Sequence, residues 1–251
     1  MTDVTVPSAP DDHDNDLASP AGNSLSWDWR PKIRWFAAEI LVVVVGVLVA
    51  LALNAWWQGK QEAAQERIVL DELQTALQND LVILSTQLAT FRETVKKIDA
   101  LSEHLEAARP YSDSLDAYFG SVYVLGIVAV NTSPYESLKS RGLGLISNAA
   151  LRSDVTRLYD LRYRILVEIQ ETQRSAVLGI MRPYFLTHFE DLVFGVTATP
   201  FSYDQIAGDR YFHNLMAYRR QIIVSSEIPV YEQTIAQISK LQSSIEKELS
   251  R

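Results

Sequence analysis

The hydrophobic pattern of this chain begins with one long stretch that is apolar around the whole circumference of a helix. Residues 35–57 read WFAAEILVVVVGVLVALALNAWW, where Glu39 is the only charged residue. A helix of this length measures about 34 Å, which matches a hydrocarbon core of about 30 Å with some tilt. Trp35 at one end and the pair Trp56 and Trp57 at the other lie where aromatic belts form. The pattern therefore predicts a transmembrane helix over residues 35–57.

Beyond residue 57 the apolar positions narrow to a stripe. Steps of three and four predict a long helix that continues from the span and stops at Arg109-Pro110. The stripe has two interpretations, the inner face of a bundle within the chain, which we favour, or a coiled-coil seam between copies. Its members are Leu70, Leu73, Leu77, Leu81, Leu84, Leu88, Phe91, Val95, Ile98, Leu101 and Leu105.

The second half of the chain contains two more striped segments. Asn148 is a candidate N-cap for a helix that runs to about Arg182, where Pro183 predicts a kink or break. The last helix covers residues 210–249 and should bend at Pro229. The stripe of the first is Leu151, Val155, Leu158, Leu161, Ile165, Ile169, Ala176 and Ile180, and that of the second is Leu215, Tyr218, Ile222, Tyr231, Ile235, Ile238, Leu241, Ile245 and Leu249.

Shorter signals connect these helices. Ser133, Pro134 and Glu136 have the spacing of a capping box, which predicts a short helix from Pro134 to Gly142. Residues 196–209 are rich in Gly, Thr, Pro and Ser and are therefore expected to form a loop.

These elements predict an all-α fold, in which one transmembrane helix is followed by an elongated antiparallel helical bundle. Residues 1–34 form an acidic tail, and its first 26 residues or so should be disordered because Pro, Ser, Asn and Asp dominate them. Residues 35–57 form the span and residues 58–251 the helical domain. With so short a tail on one side of the membrane, inward signalling would need a partner protein.

The apolar stretch has three interpretations. It is an uncleaved membrane anchor, a buried helix of a soluble core, or a cleaved signal peptide with a site at Ala50-Leu51-Ala52. The long acidic leader and the helix-forming sequence after Ala52 favour the anchor. Arg30, Lys32 and Arg34 precede the span, whereas only Lys60 and Arg67 follow it closely. The positive-inside rule then predicts a single-pass protein of the bacterial inner (plasma) membrane, with a cytoplasmic N-terminus and an extracytoplasmic domain.

Four residues within the span are candidate functional positions. Glu39 is an intramembrane acid, although its carboxylate lies about one turn from Trp35 and could reach the interface or Arg34. Gly46, Ala50 and Asn54 recur at intervals of four and place small residues on one ridge, the pattern that lets two spanning helices approach closely. They are candidate positions for homo-oligomer assembly. The alternative interpretation is that the pattern has no role, because small residues are common in such helices.

Composition argues against several classes of function. The 23 Lys and Arg against 31 Asp and Glu give a net charge of −8, so a nucleic-acid partner is not expected. The absence of cysteine excludes thiolate catalysis and disulfides. His104 and His188 each lie beside carboxylates, but not at a spacing that converges on one metal ion. No catalytic, metal or cofactor-binding residue is predicted, and the many aromatic residues of the second half are expected in the core in preference to a ligand pocket.

Two stretches together resemble a known family. They are the span with Glu39-Ile40-Leu41, Gly46, Leu51 and Asn54-x-Trp56, and the later Tyr135-x-x-Leu138-x-Ser140-x-Gly142-Leu143 with Leu145-Ile146-x-Asn148 and Leu151-Arg152. This combination resembles the bacterial domain-of-unknown-function family 6090, uncharacterised single-span membrane proteins. The resemblance covers roughly residues 35–165 and implies a membrane location without a mechanism.

Two functional hypotheses remain. The first is a non-enzymatic, membrane-anchored interaction or scaffold module whose partners are the lipid bilayer, further copies of itself and an unknown protein. The alternative is a receptor-like sensor subunit that binds a small ligand outside the cytoplasm and signals through a separate partner.

Overall fold

The computed structural model describes residues 29–250, without the side chains of residues 29–34, 37 and 38. The predicted disordered tail over residues 1–26 therefore lies outside the described residues, as do the side chains of Arg30, Lys32 and Arg34. The chain divides between Trp56 and Trp57 into two units.

The described residues are mostly helical, which confirms the all-α class. One helix, α1, runs from Trp29 to Glu106, and its C-terminal end is closed by hydrogen bonds from the Ala108 and Arg109 amides to the Leu105 and His104 carbonyls. The further elements are α2 (Asp116–Val122), α3 (Ser133–Arg141), α4 (Ala149–Thr156), α5 (Tyr163–Ala176), α6 (Arg182–His188), β1 (Phe189–Val193), β2 (Thr197–Pro200), α7 (Tyr203–Gly208), α8 (Arg210–Ile222) and α9 (Ile228–Leu249), with short 3-10 turns at Asp113–Leu115 and Leu143–Leu145.

The stripe of α1 packs against other elements of the same chain. Nine of its eleven predicted residues are buried, and Leu81 and Val95 are partly buried against them. This burial supports the intrachain interpretation of the stripe, because a face already covered by its own chain is not free to form a seam between copies.

The long helices of the domain run in two directions. Helix α9 is antiparallel to α1, since Arg67 Nη2 donates to the Leu249 carbonyl oxygen at one end and Arg92 pairs with Glu232 further along. Helices α4 and α5 instead run parallel to α1, because Ser147 contacts Glu66 and Tyr163 contacts Asp80. The predicted antiparallel arrangement therefore holds for α9 and not for the pair of α1 with α4 and α5.

A non-helical segment makes the parallel pair possible. Residues 123–132, which we call the strap, lie between α2 and α3. The strap runs back along α1 from the level of Asp99 to that of Asp80, so that α3 and α4 begin near the N-terminal end of the domain.

Three π-helical turns interrupt the later helices, at Arg157–Arg162, Val177–Met181 and Ile223–Glu227. Each inserts an extra residue and rotates the following buried face, so a constant helical spacing loses its phase. Leu161 and Ile180, predicted in the stripes, lie within π turns and are exposed, and Tyr218 is exposed within α8. The buried positions include Tyr163, Leu166, Val177, Met181, Met216 and Ile223.

The two prolines that were expected to disturb the later helices, Pro183 and Pro229, each lie two residues after a π turn. Pro183 lies in the first turn of α6 and Pro229 in the first turn of α9. Of the predicted kink or break at Pro183, the break is wrong, since helix continues to His188. The wider π turn accommodates a residue that lacks an amide hydrogen.

The predicted loop over residues 196–209 is also wrong, because it contains β2 and α7. Strand β2 pairs with β1 in an antiparallel hairpin whose register shifts between Glu190 and Val193. Gly120 allows α2 to pack directly on this hairpin, since a Cβ there would lie 2.3 Å from the Thr197 amide nitrogen. The hairpin thus depends on packing against a distant segment, which short-range patterns do not report.

Helix ends provide one correction and two confirmations. No capping box forms: Thr132 is the N-cap of α3 without a side-chain hydrogen bond, and Glu136 contacts Lys139 instead. Asn148 does cap α4, since its side-chain oxygen accepts from two amides of the first turn. Gly142 ends α3 with a φ of 104°, a conformation that favours glycine, and this confirms the predicted end of the short helix at Gly142.

Candidate functional site

The apolar part of α1 is the first feature with a functional implication. The helix is long and apolar enough to cross a membrane, and none of its most apolar 18-residue window is buried. Glu39, Gly46, Ala50 and Asn54 are all exposed, and a Cβ added at Gly46 would meet no atom within 4 Å. Gly46, Ala50 and Asn54 share one face because residues four apart on a helix are neighbours.

Buried polar side chains hold the strap inside the domain. Arg219 Nη2 donates to the Val124 carbonyl oxygen at 3.1 Å, and Gln170 Oε1 accepts from the Val128 amide at 3.1 Å. Asp80 Oδ1 accepts from the Asn131 amide at 2.9 Å. Three different helices thus provide hydrogen-bond partners for backbone groups of one extended segment.

Arg219, which contacts the strap, also forms a buried ion pair. Arg219 Nη1 lies 2.9 Å from Glu227 Oε1, and both side chains are almost wholly inaccessible to solvent. Burial raises the pKa of the Glu227 carboxyl, and the Arg219 guanidinium opposes that rise. The pair connects α8 to the π turn that precedes α9.

Several buried polar atoms around the strap have no hydrogen-bond partner among the described residues. They belong to side chains from α1, α5, α8 and α9 or from the π turn, namely Gln87 Nε2, Gln170 Nε2, Gln173 Nε2, Arg219 Nε, Glu227 Oε2 and Tyr231 OH. A buried polar atom without a partner costs free energy, so these positions are suited to water or to a polar ligand.

Asp80 forms a second buried polar centre. Its Oδ2 accepts from the Tyr163 hydroxyl at 2.6 Å. Burial raises the pKa of Asp80, while the hydrogen bonds from Tyr163 and the Asn131 amide lower it. Burial also raises the pKa of Tyr163, and the nearby Asp80 carboxylate adds to the rise. This arrangement connects α1, the strap and α5.

Sequence reasoning missed Asp80, Arg219 and Glu227. A signal was available for two of them, since Asp80 lies between Leu77 and Leu84 and Arg219 lies four residues after the buried Leu215. A charged residue at a stripe position indicates a buried, paired group.

A pocket of about 560 Å³ lies at the N-terminal end of the domain. Its lining combines the first turns after Trp57 with the turn between α3 and α4, and consists of Gly59, Glu62, Ala63, Gln65, Glu66, Arg141, Gly144, Leu145 and Ser147. Glu66 Oε1 joins the two sides, because it accepts from both the amide and the hydroxyl of Ser147.

The opposite end of the domain carries the hairpin and an aromatic cluster. The rings of Phe119, Phe185, Phe189 and Phe212 pack with centroids 4.7–6.3 Å apart. The core packing predicted for the aromatic residues of the second half therefore holds for Phe185, Phe189 and Phe212, whereas the predicted members Phe194, Phe201, Tyr211 and Tyr218 are exposed. Other apolar side chains of this end are exposed, and four of them form what we call the hairpin surface, Val193, Phe194, Val196 and Phe201.

The described histidines are engaged with backbone carbonyls. His104, His188 and His213 lie within 3.0 Å of the carbonyl oxygens of Pro110, Tyr184 and Ala207. Within residues 29–250, no three acidic or histidine side chains cluster in a way that could hold a metal ion.

Comparison with curated proteins and with solved structures gives no match. A family model, described as a family of unknown function (DUF6090), matches residues 39–176. The match covers more than half of the chain and includes the apolar stretch, the stripe of α1, the strap and the Gly142 turn. The chain therefore belongs to the DUF6090 family of unknown function.

Proposed function

We propose that this chain is a membrane-anchored, non-enzymatic interaction module, in which residues 35–57 cross the bacterial plasma membrane and the helical domain binds a protein partner outside the cytoplasm. The observation that carries the proposal is the apolar stretch of α1, whose most apolar window is unburied. An apolar surface of this length that the chain does not cover requires another apolar environment, and a bilayer fits its length.

The orientation is supported by the cations that flank the span. Because the chain has no cysteine, single cysteines report topology without background. In intact cells with a permeabilised outer envelope, a membrane-impermeant maleimide should label Ser239→Cys and spare Ser24→Cys. The reverse pattern would place the domain in the cytoplasm, and recovery of the full chain in the soluble fraction would refute the anchor.

Self-association through the span is supported by the open ridge of Gly46, Ala50 and Asn54. Gly46→Ile fills the ridge and should reduce crosslinking between copies in native membranes, whereas Val45→Ile, on a different face, should leave it unchanged. Equal crosslinking of both variants would remove this part of the proposal.

Partner binding is supported by Val193, Phe194 and Val196 of the hairpin surface, which lie together around the turn of the hairpin, because neighbouring exposed apolar side chains are typical of interaction sites. A photoreactive amino acid at Val196 in the full-length chain should crosslink one protein in native membranes. The same label at Arg164, an exposed position on α5, is the control. Equal products from both positions would argue against the hairpin surface.

A receptor-like sensor is the second candidate, and the unsatisfied polar atoms around the strap favour it. A small polar ligand that satisfies them should raise the melting temperature of the full chain in detergent micelles. Glu227→Gln should abolish the shift if the ligand binds in this region. A ligand screen that produces no such shift leaves only the interaction module.

A further inference from the structure

The pocket at the N-terminal end of the domain combines both signs of charge. Arg141 and Glu62 are exposed, and neither side chain forms a hydrogen bond or ion pair within residues 29–250. Glu66 uses one carboxylate oxygen for Ser147 and keeps the other available. A volume of about 560 Å³ lies within the usual range for small-ligand pockets, about 300–1,000 Å³. The pocket can therefore accommodate a ligand that carries an anion and a cation.

The position of the pocket along α1 matches a specific depth. Glu62 follows Trp57 by five residues, or about 7 Å of helix, and Glu66 lies about 13 Å from Trp57. An indole ring favours the headgroup level, and the headgroup layer adds about 5–8 Å on each side of the hydrocarbon core. If Trp57 lies at the interface, the first turn of the pocket lies among lipid headgroups.

On this basis, and resting on the proposed membrane anchor, we propose that the pocket binds the headgroup of a phospholipid that carries a phosphodiester and a primary ammonium, as phosphatidylethanolamine does. The Arg141 guanidinium suits the phosphodiester, to which it can donate two parallel hydrogen bonds. The carboxylates of Glu62 and Glu66 accept hydrogen bonds from the ammonium.

The chemistry distinguishes this lipid from its common neighbours. The quaternary ammonium of phosphatidylcholine has no N–H and cannot donate to Glu62. The headgroup of phosphatidylglycerol has no cation, so its negative charge is repelled by the two glutamates. The pocket should therefore select for the primary ammonium.

The test uses the full-length chain reconstituted in vesicles of equal parts phosphatidylethanolamine, phosphatidylcholine and phosphatidylglycerol. The chain is extracted in mild detergent, and its retained lipids are counted by native mass spectrometry. We expect phosphatidylethanolamine to exceed each of the others about tenfold, the value of one charge-assisted hydrogen bond. Arg141→Gln and Glu62→Gln should each remove most of this enrichment.

Matched controls are Arg164→Gln and Glu168→Gln. These side chains are exposed and unpaired among the described residues, and Arg164 adjoins Tyr163, which contacts Asp80 about 27 Å along α1 from Glu62. Both controls should retain the enrichment, whereas a loss as large as that of Arg141→Gln would overturn the site.

Two further outcomes separate the hypotheses. A chain that enters the vesicles but retains the three lipids equally refutes the headgroup site and leaves the anchor intact, whereas a chain that fails to enter refutes the anchor itself. Glycerophosphoethanolamine offered without vesicles should not be retained. If the chain retains it as strongly as the lipid, the ligand of the pocket is a soluble phosphoamine and not a membrane lipid.

Discussion

Two stretches of α1 have similar amounts of apolar sequence and opposite surroundings. In residues 39–57 apolar side chains occupy every face, and the described ones are exposed. In residues 69–105 most of them occupy one buried face, which includes the fully buried Leu84, whereas Val82 lies on another face and is 61% exposed. Residues 39–57 contain 16 apolar residues in 19 positions, and residues 69–105 contain 17 in 37. The density of apolar residues and their distribution around the helix therefore together determine whether a stretch requires a bilayer or a protein core.

The largest effect should come from charge in the first stretch. Val44→Lys with Val47→Lys places two cations near the middle of the span, at about 2.5–3.5 kcal/mol each for insertion. The double variant should leave the carbonate-resistant membrane fraction. Val82→Lys with Ile83→Lys, on exposed positions of the second stretch, should stay membrane-bound, and equal behaviour of the two double variants would break the comparison.

The core beside the second stretch contains a buried ion pair. Arg219→Met leaves Glu227 buried without its partner and should lower the free energy of unfolding by about 3–5 kcal/mol. Adding Glu227→Met should recover much of the loss. Arg220→Met removes an exposed pair with Asp99 and should cost less than about 1 kcal/mol. Chemical unfolding of the full chain in micelles measures all three.

The stripe itself is tested by truncating one of its side chains. Leu84→Ala should lower the free energy of unfolding by about 2–5 kcal/mol, because it removes buried methyl groups and leaves a cavity. Val82→Ala should change it by less than about 0.5 kcal/mol. If the two substitutions cost the same, the distinction between the faces of this stretch fails.

The smallest effect concerns Asp80, the acid within the stripe. Because burial raises its pKa in the folded chain, the folded state binds more protons than the unfolded state, and stability falls as the pH rises through that raised pKa. Asp80→Asn should remove this loss, so its stability relative to the wild type should increase from pH 4 to pH 7, by about 1.4 kcal/mol per pKa unit. Asp71→Asn, on the exposed face, should show no such trend.

How far the sequence could predict the fold depended on local regularity. The stripe of α1, the Asn148 cap and the Gly142 turn follow from rules that act within a few residues, and the structure confirms them. In the second long helix the predicted phase failed at Leu161, which lies in the first π turn, because such a turn shifts the positions that follow it and has no pattern of its own. In the last helix Leu215, Tyr231, Ile238, Leu241 and Ile245 are buried as predicted. The hairpin failed because it is held by α2, about 80 residues earlier in the chain.

The candidate pocket was out of reach for a related reason. Its two sides, around Glu62 and around Arg141, are about 80 residues apart in the sequence and meet only because the strap carries the chain back along α1. The span residues Glu39, Gly46, Ala50 and Asn54 were predicted from the apolar pattern alone, and their roles stay predictions.

The return of α9 to the level of Arg67 determines when the stripe of α1 is covered during synthesis. Arg67 and Leu249 are 182 residues apart, which a ribosome translates in roughly 10 to 35 s. Throughout that interval α9 is incomplete, so the part of the stripe that α9 covers stays exposed to water even after α4 and α5 have been synthesised. Chains truncated before Tyr231 should therefore be degraded or aggregate. We also expect a chaperone to bind the full chain while it is synthesised and translocated.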